Sequence, residues 1–143
     1  DHGKREVLMH LVIDDAGRSA SRHPQEQNDC SVRAIAKCLG IPYDKAYSML
    51  VRQGREQDKP FRIVGYLKRH RKFDGAQHKL RYGYGVIKLH QFADDNPEGS
   101  YVVLVNRHVT TCIDGTIYDD HTLAPYRSVY TSWKLKQHEI ATT

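Results

Sequence analysis

The chain has 143 residues, is 39% hydrophobic and 27% charged, and carries a net charge of +5. That length allows one domain, residues 1–143, with its own core. No apolar run approaches the roughly 18 residues that a membrane-spanning helix needs, so no membrane partner is expected. The three cysteines, Cys30, Cys38 and Cys112, are odd in number and irregularly spaced, which argues against a disulfide framework and for a reducing, cytoplasmic setting. Metal-ligand pairs close in sequence are missing, so neither a metal nor a cofactor is expected. The opening DHGKREVLMHLVIDDAG lacks the layout of a signal peptide.

In chain order, residues 6–14 (EVLMHLVID) read as a strand, and residues 19–29 (SASRHPQEQND) as a loop that ends at Cys30. SVRAIAKCLG (31–40) predicts a helix, with Val32, Ile35, Ala36 and Leu39 on one face and Gly40 as its stop. Pro42 breaks the chain before a second helix over 43–54, which turns Tyr43, Ala46, Tyr47 and Leu50 inward. FRIVGYLKRH (61–70) reads as a third helix, KFDGAQHKLRYGYG (72–85) as irregular, and VIKLHQFADDN (86–96) as a strand passing into a short helix. Beyond Pro97 the texture changes. SYVVLVN (100–106), HVTTCI (108–113), TIYDD (116–120) and APYRSVYTSWKL (124–135) are strand-like, and Asp114-Gly115 is a strong hairpin signal. The expected fold is therefore α+β, an N-terminal helical lobe packed on a C-terminal antiparallel sheet.

Much of the positive charge lies in LKRHRKF (67–73), through Lys68, Arg69, Arg71 and Lys72, and in HKLRYGYG (78–85), where it interleaves with Tyr82 and Tyr84. Such a stretch suits nucleic acid or an acidic protein surface. A solvated helix face and a basic loop are the plainer reading, since no nucleic-acid motif accompanies the charge.

Cys30 is chemically the most informative residue. At a helix entrance the first backbone N–H groups lack intrahelical acceptors, and the positive end of the dipole favours an anion. Both stabilise a thiolate, the nucleophilic form, and the same N–H groups can hold an oxyanion. Asp29 or Ser31 is placed to cap this helix. A nucleophilic cysteine needs a base, and the base needs an orienting partner. If Asp114-Gly115 is a two-residue turn, Cys112 faces Ile117 and Thr110 faces Asp119, and strand alternation puts His108 and Asp119 on one face as diagonal neighbours. A one-residue slip would substitute Asp120. Cys38, late in its helix, reads as core.

A cysteine opening an early helix, a histidine on a later strand and an aspartate on the next resemble the papain-like cysteine peptidase superfamily. QNDCSVRAIA is similar to the nucleophile motif of ovarian-tumour-type (OTU) deubiquitinases, where Asp-Gly-Asn-Cys precedes a hydrophobic pair, an arginine and a small residue. Cys30, Val32, Arg33 and Ala34 fit it. SYVVLVNRHVTTCIDGTIYDD resembles the His and Asp strands of bacteriocin-leader-cleaving peptidases. Over residues 25–120 the texture resembles small papain-like proteins of bacteriophages and bacteria, with a DC-x-x-RA helix before a His strand and a DG-x-I-x-D hairpin. The resemblance implies Cys30 as nucleophile, His108 as base and Asp119 as third member. Papain-like enzymes carry an oxyanion-hole glutamine six residues before the nucleophile, where this chain has Pro24, and OTU enzymes an aspartate three before, where it has Gln27. Gln27 and Gln25 are the oxyanion candidates, with Asn28 behind them.

The expected activity is that of a thiol hydrolase, a cysteine peptidase or deubiquitinase-like enzyme cutting a peptide or isopeptide bond in a protein or peptide substrate, or a related acyl transferase. It would act in the cytoplasm, a host's if the chain is phage-encoded. The alternative is a basic binding module on a papain-like scaffold, engaging a host protein or nucleic acid through the patch at Lys68, Arg69, Arg71 and Lys72, with the triad vestigial.

Overall fold

The computed structural model describes residues 7–136. In chain order it contains β1 (Leu11–Ile13), a 3-10 turn (Arg18–Ala20), α1 (Cys30–Leu39), α2 (Tyr43–Arg52), α3 (Ile63–Arg69), β2 (Phe73–Gln77), β3 (Leu80–Arg81), β4 (Tyr84–Gly85) and α4 (Leu89–Asp95). The chain continues through β5 (Ser100–Val105), β6 (His108–Ile113), β7 (Thr116–Asp119) and β8 (Val129–Leu135). The class is α+β. The expected strand over 6–14 shortens to β1, and Glu6 lies outside the described residues.

Six strands form one sheet in the order β1-β7-β6-β5-β8-β2, while β3 and β4 form a small separate hairpin. The expectation of an antiparallel sheet confined to the C-terminal half is corrected in two ways. β1 pairs with β7 in parallel, which makes the sheet mixed. β2, expected to be irregular, pairs antiparallel with β8 at the opposite edge. FDGAQ lacks the β-branched alternation of a buried strand because, apart from Phe73, it is exposed; an edge strand needs only its ladder and one anchoring side chain.

Alternation along the central strands divides the core between two faces. Val102, Val109 and Trp133 pack with Val32, Ile35, Tyr43, Leu50, Ile63 and Leu67 from α1, α2 and α3. Tyr101, Val103, Val105, Cys112, Ile117 and Val129 pack on the other face with Leu89, Phe92 and Ala93 of α4. The helices therefore cover both faces of the sheet rather than forming one lobe beside it.

Local signals account for the two elements that matter most. α1 buries Val32, Ile35 and Ala36, and ends at Gly40, whose φ of +65° is left-handed and whose N–H donates to the carbonyls of Ala36 and Lys37. The β6–β7 turn has positive φ at both Asp114 (+49°) and Gly115 (+78°), as a two-residue primed turn requires. It pairs Ile113 with Thr116 and Cys112 with Ile117.

Candidate active site

Cys30 is the first residue of α1, His108 the first of β6 and Asp119 the last of β7. The three meet where the hairpin opens beside the start of α1. His108 Nε2 lies 2.7 Å from Asp119 Oδ2. An ionised carboxylate can only accept, so Nε2–H is the donor, and Nδ1 is the ring nitrogen left to hydrogen-bond Cys30. The Val109 backbone also hydrogen-bonds the Cys30 sulfur. Asp119 is 1% exposed in its side chain and His108 12%.

The charges follow from these contacts. Burial pushes the Cys30 thiol up, but hydrogen bonds from His108 and Val109 and the charges of His108 and Arg33 leave it below its ordinary value. Burial pulls His108 down, but Asp119 and Cys30 outweigh it and raise the imidazole to about 9. Burial also opposes the Asp119 charge, yet hydrogen bonds from His108, Thr110 and Arg33 hold its carboxyl well below the usual range. Together these favour a thiolate–imidazolium pair. The other thiols behave oppositely. Burial, with Cys112 nearby, pushes Cys38 up to about 12, and burial pushes Cys112 up to about 11 despite a Gly115 backbone hydrogen bond.

Arg33, one helical turn beyond Cys30, has a role that sequence reasoning missed. Its guanidinium is buried and donates through Nε to Asp29 Oδ1 at 3.0 Å and through NH1 to Asp119 Oδ1 at 2.7 Å. NH1 also lies 3.2 Å from Asp120 Oδ1. Arg18 donates to both Asp29 oxygens at 3.1 Å and to Asp120 at 3.0 Å, and Tyr43 Oη donates to Asp29 at 2.8 Å. Two guanidiniums and three carboxylates thus bind α1 to the strand that carries Asp119. The sequence signals were Arg33's place in the motif and its spacing of four from Asp29, that of a helical ion pair; nothing local pointed to Asp119. Asp29, expected as a possible cap, makes no side-chain capping bond because this network occupies its carboxylate. Ser31 does not cap either; its hydroxyl is buried and unpartnered.

The approach to Cys30 is braced from below. Arg55 and Glu26 form a buried ion pair at 2.8 Å, and Arg55 NH2 also donates to the carbonyls of Gln27 and Asn28. Glu26 accepts from the Asp58 N–H, and Asp58 Oδ1 from the Gln27 N–H. Asn28, at φ +52°, gives its side-chain amide to the Asp58 carbonyl. This commitment weakens Asn28 as an oxyanion donor, whereas Gln25 and Gln27 are exposed on the wall of the cleft.

The cleft itself has a volume of about 780 Å³, and Cys30, His108, Pro24, Arg107 and His121 also line it. His121 Nδ1 donates to Asp120 Oδ1 at 2.6 Å, and its ring meets that of His108 edge-on at 5.2 Å. Among the described residues, His108, Asp119 and His121 offer ligand atoms within 4.8 Å of one another. That set suits a transition metal, although each member is already engaged in the hydrogen-bonded network. The four patch residues Lys68, Arg69, Arg71 and Lys72 are exposed and do not line the cleft. No helix among the described residues is long and apolar enough to cross a membrane.

Comparison of the chain with protein-family models, with curated proteins and with solved structures finds no match.

Proposed function

We propose that the protein is a papain-like thiol hydrolase that cuts a peptide or isopeptide bond, with Cys30 as nucleophile, His108 as general base and acid, and Asp119 as the residue that orients His108. The observation that carries this reading is the line from Cys30 through His108 to Asp119, with its 2.7 Å Nε2–Oδ2 hydrogen bond, at the wall of an open cleft. The lowered thiol and raised imidazole support it, because a thiolate at neutral pH is what the reaction needs.

In the reaction, the Cys30 thiolate attacks the carbonyl carbon, and the C=O electron pair moves onto oxygen. The free N–H groups at the start of α1, with Gln27 or Gln25, steady that oxyanion. As the C–N bond breaks, the imidazolium of His108 gives its Nδ1 proton to the leaving amine. A water then attacks the thioester, His108 takes its proton, the acid departs and the thiolate returns. A second amine in place of water gives acyl transfer by the same steps. A cytoplasmic setting, that of a host if the chain is phage-encoded, suits three free cysteines.

The test is labelling with an electrophilic, thiol-directed peptide probe. Cys30→Ala abolishes labelling, while Cys38→Ala retains it. Equal labelling of both variants overturns the assignment.

A further inference from the structure

The basic stretch over 67–85 is split in space. Lys68, Arg69, Arg71 and Lys72 sit where β2 begins, beside Leu135 and Lys136. Tyr82 and Tyr84 lie beyond the other end of β2, about 17 Å along the strand at roughly 3.3 Å per residue. That second end coincides with the end of the sheet that holds the candidate active site: Gln77 pairs with Thr131, Val129 with Val105, and Val105 with His108. The β3–β4 hairpin is fastened there by the His78 N–H on the Tyr130 carbonyl and by Gly85 against the Val129 backbone. Two strands, β8 and β5, lie between β2 and β6, so hairpin and cleft stand at the same end of the sheet.

Folding does not account for this hairpin's side chains. Tyr82 is 94% exposed and Tyr84 63%, and Leu80 and Val86 are also exposed. Four of the nine large exposed hydrophobic residues noted among the described residues fall within these seven positions. Tyr82 also has φ +54° at the first turn position before Gly83 (φ +81°). A bulky residue is strained there, where asparagine or glycine would sit easily. An aromatic ring that gains no burial and strains its own backbone points to a role in binding. The cations gather on the hairpin and its flanks, while Asp94 and Asp95 of α4 share a separate hollow with Val86. Arg81 pairs across from Tyr84, Lys79 and Lys88 flank the hairpin, and the single carboxylate between Lys68 and Lys88 is Asp74, 3.5 Å from Lys136. A groove of about 260 Å³ runs between Arg81, Tyr82, Tyr84, Val86 and Lys88.

We propose that the β3–β4 hairpin is a docking surface for single-stranded nucleic acid, on which Tyr82 and Tyr84 stack unpaired bases while Lys79 and Arg81 meet the phosphates; Lys88 instead ties the hairpin down, its Nζ donating to the Gly85 carbonyl and the Ser128 hydroxyl. Flat aromatic faces beside cations are the recognition chemistry of unpaired bases, and the groove suits a planar base better than the apolar face of a helix. The cations at the start of β2 extend the positive track along the exposed sheet edge. This proposal stands apart from the hydrolase reading, since it involves none of Cys30, His108 or Asp119.

Fluorescence anisotropy of the intact protein with a fluorescein-labelled 20-nucleotide oligodeoxythymidylate tests it. The expected result is binding that weakens steeply with salt, falls about tenfold or more in the Tyr82→Ala/Tyr84→Ala double variant, and is unchanged in Lys45→Ala, a control cation on α2. No binding at low salt, or equal binding by the double variant, overturns the proposal. So does equal competition by a duplex of the same length, which removes base stacking, or by polyglutamate, which makes the surface one for acidic proteins.

Discussion

At the scale of single residues, the pairing of Cys30 with His108 has consequences that depend on pH. His108 is raised from 6.5 to about 9 in the folded protein. A raised base stabilises the fold fully below its ordinary pKa, and that contribution is lost as pH rises through the folded value. The stability difference between wild type and His108→Ala is therefore expected to narrow between pH 7 and pH 10, measured by urea denaturation at each pH. The thiol gives a second reading. The rate of Cys30 alkylation by iodoacetamide should rise at lower pH than for an ordinary cysteine, and His108→Ala should shift that profile upward. A profile unmoved by His108→Ala rules out the ion pair. Cys30 stood out in the sequence because a helical period begins immediately after it. The bond from Arg33 to Asp119 did not, because 86 residues separate the two and only the fold joins them. A single sequence carries no periodic trace of a buried polar contact between distant segments.

At the scale of elements, the Arg33 guanidinium joins α1 directly to Asp119 of β7, with Arg18 bridging Asp29 and Asp120 beside it. Arg33→Gln leaves Asp29 and Asp119 buried with reduced compensation, and loss of one partner from a buried ion pair costs about 3–5 kcal/mol. A clear fall in the thermal midpoint is expected, together with slower Cys30 labelling, because Arg33 also favours the thiolate. Arg33→Lys should recover only part of the stability, since a point charge does not reproduce the fork that spans two carboxylates. Full recovery by lysine would mean that charge alone matters. The elements themselves differed in legibility. α1, α2 and the β6–β7 hairpin were readable from a helical period, a glycine stop and a two-residue turn. β2 was not, because an edge strand exposed on four of its five residues has no alternation to display. The β1–β7 pairing was hidden for another reason: parallel neighbours distant in sequence share no local signal.

At the scale of the whole molecule, the hairpin's seat on the rim it shares with the cleft depends on one close backbone approach. Gly85 lies against the carbonyl and N–H of Val129, and a Cβ there would collide with both. Gly85→Ala must push the hairpin off β8, at a cost of about 1–3 kcal/mol typical of overpacking. Weakened oligonucleotide binding with Cys30 labelling preserved is the expected outcome. The sheet also has a parallel edge. β1 lays Ile13 beside Asp119, and the Asp14 N–H donates to the Asp119 carbonyl at 2.7 Å. A segment from the start of the described chain thus holds the strand that carries Asp119 in place. During synthesis Cys30 emerges long before His108 and Asp119. A half-made chain therefore carries an ordinary thiol, which becomes a reactive one only when the β6–β7 hairpin packs beside α1.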